Sequence, residues 1–345
     1  MIKDVLKKTV NKMMEIKKND FEETCPIGII DIENWEWPQG VGMYGLWNYY
    51  KEQGEKEYLE ILISWYERNI SKGLPAKNVN TMAAMLTLAC LAEETKRQDY
   101  FDLCNEWAKW IMEEMPRTEE GGLQHIVSGE ENHNQLWIDT IFMTVLFLAK
   151  MGMLTNNSDY IEESKKQILL HIKYLYDKKT GFWFHGWTFD GRHNFANALW
   201  ARGNCWYTSG VVEFIEMTGI EGGIKEYLLD TLVAQIEALE KAQDECGGWH
   251  TLLDDPETYI EISATAGFGY GILKAVRKGY ISQKYKTVGE KALQCVVSNI
   301  DAGGEVKQVS YGTGMGHDLQ HYKDIPLCPM TYGQALAILI LGEGI

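Results

Sequence analysis

Apolar residues recur at helical spacing from one end of the chain to the other, and alternating apolar-polar runs are almost absent. The spacing predicts about twelve helices. They fall near residues 2–17, 40–52, 56–70, 80–94, 98–115, 136–152, 158–177, 195–218, 222–243, 260–279, 284–299 and 331–342. The chain has seven prolines, which agrees with an all-helical fold because proline disrupts a helix interior.

The predicted helices alternate between two types. Residues 80–94 and 136–152 are apolar on nearly every face, which is typical of helices buried on all sides. Residues 98–115, 158–177 and 222–243 instead carry charged and amide side chains on one face. We therefore expect an inner ring of helices wrapped by an outer ring.

A weak internal repeat supports this layout. Gly-Gly or Gly-aromatic turns precede inner helices in GGLQH, GFWFH, GGWHT and GGEVK, which begin at Gly121, Gly181, Gly247 and Gly303. Their spacing of roughly 55 to 65 residues is that of one helical hairpin. The sequence thus predicts an all-α fold, a closed (α/α)6 barrel that covers residues 1–345 as a single domain. Independent loops that happen to contain glycine are the alternative.

Composition narrows the function classes. The net charge of −16 disfavours nucleic acid and anionic membranes as partners, since both require a basic surface. Seven cysteines stand singly and the histidines form no HExxH motif, which argues against disulfides and a metal site. Residues 1–20 lack the features of a secretory signal, and no run reaches the roughly 18 apolar residues of a membrane span. We expect a cytoplasmic protein without a cofactor.

Polar and aromatic residues collect where the inner helices are expected to begin, and those ends should open on one face of the barrel. The chain has 12 Trp and 18 Tyr, whose flat rings suit the faces of sugars as well as a core. The segment 310–324 precedes the last helix on the same face, so we expect a neutral sugar-binding cup. Its candidate residues are Trp35, Trp37, Tyr44, Asn78, Asn80, His133, Asn134, Trp137, Asp139, His185, Trp187, Trp200, Arg202, Asn204, Trp206, Trp249, His250, Glu261 and Ser263.

Asp139 interrupts the apolar stretch LWIDTIFMTVLFL, where an unpaired carboxylate is costly to bury. Apolar neighbours such as Trp137 should favour its protonated form, which suits a proton donor near neutral pH. The alternative is an Asp at a helix N-terminus that is stabilised by free backbone N–H groups.

Arg202 is a fixed cation within the aromatic stretch WARGNCW. Its guanidinium can bind a substrate carboxylate with two nitrogens, or it can pair with a neighbouring protein acid. His185 can bond a sugar hydroxyl or serve structure alone. Cys205 is interpreted as a packing residue, because no base lies at nucleophile spacing.

The motifs LWIDTIFM (136–143), FHGW (184–187) and WARGNCW (200–206), in that order, resemble glycoside hydrolase family 105, to which the unsaturated rhamnogalacturonyl hydrolases belong. WPQGVGMYGL, NVNTMAAMLTLA and TYGQALAIL extend the resemblance over nearly the whole chain. It implies an (α/α)6 barrel and a small oligosaccharide substrate whose non-reducing uronate carries a C4–C5 double bond. The implied reaction protonates C4 and adds water at C5, after which the hemiketal opens and releases the aglycone.

The resemblance also implies residue roles. Asp139 would be the catalytic acid and base, and His185, Trp200, Arg202 and Trp206 would bind the unsaturated sugar. Further residues expected to bind the substrate are Tyr44, Asn80, His133, Trp137, Trp187 and Asn204. The related unsaturated glucuronyl hydrolases use a second Asp on an earlier inner helix, where this chain has Asn80, so one titrating carboxyl group is expected. Cys205 stands where many relatives have Gly.

Two other classes of function remain open from the residues. A sugar epimerase or isomerase on the same barrel type would move protons with paired histidines, for which His185 and His250 are candidates. A non-catalytic oligosaccharide-binding protein would use the Trp-rich loops for affinity, with Asp139 as a hydrogen-bonding group. The preferred aglycone and the oligomeric state do not follow from the sequence.

Overall fold

A computed structural model describes residues 2–17 and 30–345 of the chain. In chain order its α-helices are α1 (Ile2–Glu15), α2 (Trp37–Gln53), α3 (Lys56–Lys72), α4 (Val79–Thr95), α5 (Gln98–Glu113), α6 (Leu146–Thr155), α7 (Ser158–Leu175), α8 (Ala201–Thr218), α9 (Gly223–Ala242), α10 (Ile262–Arg277), α11 (Lys286–Ser298), α12 (Leu319–Lys323) and α13 (Thr331–Glu343). The described residues also contain strands β1 (Gln135–Trp137) and β2 (Gly186–Thr188), a π-helix (Ile141–Val145) and a 3-10 helix (Gln283–Tyr285).

The inner helices form a closed ring. Contacts run from α2 to α4, α6, α8, α10 and α13, and α13 packs back against α2. Each inner helix also carries an outer one: α3 packs on α2, α5 on α4, α7 on α6, α9 on α8, α11 on α10, and α1 on α13. The alternation of fully apolar and one-sided helices is therefore confirmed as an (α/α)6 barrel.

Small residues let neighbouring inner helices approach closely. A Cβ on Gly40 of α2 would lie 2.5 Å from the backbone nitrogen of Ala84 in α4. A Cβ on Gly271 of α10 would lie 2.4 Å from the carbonyl oxygen of Thr208 in α8. Both distances are shorter than any real carbon contact, so the glycines are required by packing inside the ring.

The predicted glycine turns are present before the inner elements. Gly121, Gly181 and Gly247 have φ values of 78°, 83° and 89°. In the fourth turn the left-handed residue is Gly304, with φ of 91°, rather than the neighbouring Gly303. This backbone region favours glycine because a side chain is strained there.

Two inner helices begin later than their periodicity predicts. The segment 136–152 starts with β1 and a turn, and continues through the π-helix into α6, while 195–218 is helical only from Ala201. The reason is tertiary pairing: β1 is antiparallel to β2, and Trp200 forms a bridge to Leu252. Asp139 consequently lies in the turn before an inner helix and not within one.

Six cysteines in the described residues are free thiols, while Cys25 lies outside that part of the chain. Among helices of the described residues, none combines the length and apolarity that crossing a membrane requires.

Candidate active site

A cavity of about 540 Å³ opens where the inner helices begin. It receives side chains from the starts of α2 and α4, from the turn after β1, from the start of α8, from the loop before α12 and from α12 itself. Its polar and aromatic lining comprises Glu36, Trp37, Asn80, His125, Ser128, Glu130, Asn132, Gln135, Trp137, Asp139, Phe195, Trp200, Arg202, Thr313, His317 and His321.

The two short strands hold Asp139 next to His185. Trp137 of β1 lies opposite Gly186 of β2, and the Ile138 N–H donates to the carbonyl of His185 at 3.1 Å. Asp139 Oδ2 and His185 Nε2 are 3.5 Å apart, and neither atom has a further hydrogen bond within the described residues. The Asp139 side chain is 16% exposed, and it lines the cavity. The π-helix Ile141–Val145 follows directly, and π-helical turns often occur at functional sites.

Tyr322 fixes the orientation of His185. Its hydroxyl lies 2.7 Å from Nδ1 of the imidazole, and the same hydroxyl accepts from the Gly316 N–H at 3.1 Å. We assign the tyrosine hydroxyl proton to the bond with Nδ1, because a phenol is the stronger donor of the pair. The remaining ring proton of His185 is then on Nε2 and points at Asp139.

This pairing affects the pKa of Asp139. Burial is the largest single influence and raises the pKa of the carboxyl, but the hydrogen bond from His185 and the charges of His185 and His125 together lower it below its ordinary value. Burial lowers the pKa of His185 and brings that of His125 to about 3, so both rings are neutral near pH 7. The apolar pattern around Asp139 predicted a protonated acid. The structure instead lowers the pKa of this carboxyl group, and the sequence did not predict this because only the fold brings His185 beside Asp139.

Arg202 is buried, and its terminal nitrogens are already occupied. Nη1 donates to the backbone oxygen of Ser310 at 2.9 Å and to its hydroxyl, while Nη2 donates to the Tyr311 carbonyl at 3.0 Å and the Thr313 hydroxyl at 2.8 Å. Glu261 lies 4.0 Å from Nη1. The two terminal nitrogens, which from the sequence could bind either a substrate carboxylate or a protein group, are thus occupied by the loop before α12. Only Nε–H has no acceptor within the described residues.

Aromatic rings form the remaining walls. The Trp137 ring stacks on His125 at 4.2 Å with an interplanar angle of 12°. Trp200 lies between His185, at 4.3 Å, and the guanidinium of Arg202, at 4.6 Å. The indole N–H of Trp200 has no partner within the described residues, although it is buried. The Trp200 indole N–H and the Arg202 Nε–H are therefore two hydrogen-bond donors for which an anionic or hydroxyl-bearing ligand can be the acceptor.

Glu36 is a second carboxyl group in the cavity wall. It is the residue before α2 and is 4% exposed. Its oxygen accepts from the Ser128 hydroxyl at 3.4 Å, and its carboxyl is hydrogen-bonded to Asn80. Burial raises the pKa of Glu36 to about 7, and the three hydrogen bonds from Asn80, Ser128 and the Trp37 backbone only partly oppose this.

Five residues expected to bind substrate lie away from the cavity lining. Tyr44 donates to Glu213 at 2.6 Å in the barrel core, where Trp206 packs against Trp37 and Phe142. Asn204 bonds both backbone groups of Trp183, Trp187 packs on Tyr174, and the exposed His133 pairs with Asp190 at 3.0 Å. Of the other residues to which the resemblance assigns a role, His185 lies 3.5 Å from Asp139, and the following line the cavity: Asn80, Trp137, Asp139, Trp200 and Arg202.

Several cavity residues were missed from sequence. Glu36 stands in WEWPQG between Trp35 and Trp37, and its position just before a helix with an early proline is the signal that the sequence offers. His125 ends GGLQH, which was interpreted only as a turn. His317 lies in the loop before α12 and His321 within α12. Both belong to the segment 310–324 that the sequence places on this face, but neither was named there as a candidate.

Among the described residues, no cluster of three or more His, Cys, Asp or Glu side chains has a geometry that could hold a metal ion.

Comparisons with known proteins agree with this geometry. The sequence model of Glycosyl Hydrolase Family 88 matches residues 2–345. The chain therefore belongs to that family and is a glycoside hydrolase.

Individual proteins with similar sequences or structures are also known. It is 30% identical over 312 residues to the unsaturated rhamnogalacturonyl hydrolase YesR of Bacillus subtilis, covering 90% of this chain and 89% of that protein. A crystal structure from Salmonella enterica, described as a possible member of the GH105 family, is 49% identical with a TM-score of 0.97, over 99% of this chain and 93% of the other. A similarly described structure from Klebsiella pneumoniae is 49% identical with a TM-score of 0.95, over 99% and 92%.

Proposed function

We propose that this protein removes the unsaturated uronic acid from the non-reducing end of lyase-generated oligosaccharides, with unsaturated rhamnogalacturonan disaccharide as the preferred substrate. The name of YesR supports this substrate class. The single observation that carries the chemistry is the Asp139 carboxylate, oriented by His185 and facing a cavity walled by tryptophan. We also propose that the protein is cytoplasmic and that residues 1–345 form a single domain, as the sequence predicts.

The reaction is hydration of a vinyl ether. Asp139 in its protonated form acts as general acid and donates the proton that adds to C4, and positive charge develops at C5 and the ring oxygen. Water then attacks C5 while Asp139 takes its proton as general base. Protonated Asp139 next gives this proton to the ring oxygen as the bond between C5 and the ring oxygen breaks, and the C5 hydroxyl returns its proton to Asp139 as the ketone forms. The hemiacetal left at C1 then collapses to an aldehyde, and its hydroxyl proton goes to the oxygen of the departing aglycone. His185, whose Nε2 lies 3.5 Å from Asp139 Oδ2, orients the carboxyl group for these proton transfers.

Substrate binding is proposed to use the groups that lack partners. The uronate carboxylate would accept from the indole N–H of Trp200 and from Nε–H of Arg202. Both groups are buried, so satisfying them recovers the cost of leaving them unpaired. Trp137, with His125 stacked behind it, would offer a rigid apolar face to the sugar.

The epimerase alternative needs two facing histidines. His185 is committed to Tyr322 and Asp139. His250 bonds the Thr258 carbonyl and lies 3.5 Å from Asp244, and it is not part of the cavity lining. The paired-histidine mechanism therefore has no support from this arrangement.

The test is to incubate the protein with unsaturated rhamnogalacturonan disaccharide and follow the ultraviolet absorbance of the conjugated enol ether. Wild type should abolish the absorbance, and Asp139→Asn should lose about 10³-fold or more in kcat while folding normally. Asp244→Asn is the matched control, because Asp244 faces His250 at the same 3.5 Å separation outside the cavity. Persistence of the signal with wild type would reject hydration, whereas full activity of Asp139→Asn would assign the chemistry to another group.

A further inference from the structure

Two of the free thiols lie next to each other. The sulfur of Cys246 is 3.9 Å from that of Cys295, although the residues are 49 positions apart in the chain. Cys246 stands in the turn that follows α9, and Cys295 lies on the outer helix α11. A disulfide bond is about 2.05 Å long, so the two sulfurs need to approach by about 2 Å to form one.

The turn that carries Cys246 is held against α11 by contacts that involve no sulfur. Gln243 Nε2 donates to the Gly247 carbonyl at 2.9 Å and to the Val288 carbonyl of α11 at 3.0 Å. A Cβ on Gly247 would lie 2.5 Å from the carbonyl oxygen of Lys291, so the backbone of the turn lies directly on the helix. The fold therefore keeps each sulfur at a high local concentration around the other, which favours a bond between them over a bond to another molecule.

The two thiols differ in their access to solvent. Among the described cysteines Cys246 is exposed and the other five are buried, with Cys295 at 3% exposure. An oxidant in solution thus reaches Cys246 first, and Cys295 is placed to displace it. Burial raises the pKa of both thiols, that of Cys295 to about 12, so the reaction is slow at neutral pH and faster in alkaline solution.

We propose that Cys246 and Cys295 are a redox-responsive pair, which a small-molecule disulfide converts into an intramolecular disulfide bond that ties the turn after α9 to α11 and stabilises the fold. Neither residue lines the cavity, so this site is separate from the proposed hydrolysis. A reducing compartment keeps the two thiols free, and the bond forms when the pool of small thiols becomes oxidised.

The reaction is thiol–disulfide exchange in two steps. The Cys246 thiolate attacks one sulfur of the small disulfide, so a new S–S bond forms and the old one breaks with release of one small thiolate. The Cys295 thiolate then attacks the Cys246 sulfur, which forms the protein disulfide and releases the second small thiolate. The two protein sulfurs are oxidised and those of the small disulfide are reduced, while the two cysteine protons end on the released thiols.

The test is to incubate the full-length protein with glutathione disulfide at about pH 8.5, where more of each thiol is ionised. We expect the number of thiols titrated after denaturation to fall from seven to five, because two thiols become one disulfide. A peptide map without reduction should join the peptides that contain Cys246 and Cys295. Dithiothreitol should restore all seven thiols.

The bond should also raise thermal stability, because it closes a long loop in the unfolded chain. For cysteines 49 positions apart in a chain of 345 residues, we expect Tm to rise by about 5 °C. Calorimetry of the oxidised protein before and after dithiothreitol measures this shift. An oxidised protein whose Tm is no higher than that of the reduced protein would overturn the stabilising role.

Serine variants separate the two steps. Cys295→Ser should stop at a mixed disulfide, with one glutathione on Cys246, and Cys246→Ser should form neither product. Cys90→Ser is the matched control, because Cys90 is a buried thiol on α4, and it should form the bond as wild type does.

The map of wild type decides the proposal even if a serine variant fails to fold. Seven thiols left after the treatment, glutathione retained on Cys246 as the final product, or a bond from Cys246 to another cysteine such as Cys25 would each overturn it. None of these measurements uses hydrolysis, so their outcome is independent of the function proposed above.

Discussion

Replacing Glu36 by glutamine should change stability in a pH-dependent way, independently of any activity. The pKa of Glu36 is raised from its ordinary 4.5 to about 7 because the group is buried. Between these values the folded state holds a proton that the unfolded state has lost, so raising the pH destabilises wild type. Stability from this group is fully present below about pH 4.5 and lost as the pH rises through about 7. A glutamine side chain is neutral at every pH, as the protonated carboxyl is, so the variant does not lose this stability as the pH rises.

The difference in pKa corresponds to about 3 kcal/mol of unfolding free energy above pH 7. For 345 residues, with an unfolding entropy of about 2.1 cal/mol/K per residue, this is about 4 °C in Tm. Urea unfolding of both proteins from pH 5 to pH 8.5 measures the effect, and the gap should widen in favour of Glu36→Gln as the pH rises. The exposed Glu60 on α3 offers a control, whose glutamine variant should track wild type. A gap that stays constant with pH would refute the argument.

Two further substitutions test the supporting contacts. Arg202→Lys should lower the free energy of unfolding, measured by urea titration, by about 3 kcal/mol. One ammonium group cannot replace the four hydrogen bonds that the guanidinium makes to the buried loop. Unchanged stability with a higher KM would instead favour a role in substrate binding alone. Tyr322→Phe removes the donor that orients His185 and should reduce kcat about tenfold at constant KM, and an unaltered kcat would show that the imidazole needs no such support.

The barrel could be predicted because each helix carries in its own residues the pattern that places it in the inner or the outer ring. Whether a helix is apolar all round, as α4 is, or on one side only, as α7 is, can be read from its own residues. Glycine turns at regular spacing gave the hairpin period. The starts of α6 and α8 were predicted wrongly since their boundaries depend on β1 pairing with β2 and on the bridge between Trp200 and Leu252. Those partners are distant in sequence.

Part of the active site could also be predicted, where the signal lies in neighbouring residues of the sequence. Asp139 stands out because a carboxyl in an apolar stretch is rare, and the motif resemblance pointed to it as well. Its charge state depends on His185, 46 residues further on, which only the fold brings to 3.5 Å. Arg202 is conspicuous in sequence, but its partners at 310–313 belong to a loop without local pattern. Glu36 shows its character only through burial against Asn80.

The central claim is that catalysis proceeds through the C4–C5 double bond. The most direct measurement compares the unsaturated disaccharide with its saturated counterpart, following aglycone release by nuclear magnetic resonance alongside ultraviolet absorbance. The account predicts that only the unsaturated sugar releases its aglycone, at the same rate at which the absorbance disappears. Release of the aglycone from the saturated sugar at a comparable rate would contradict it.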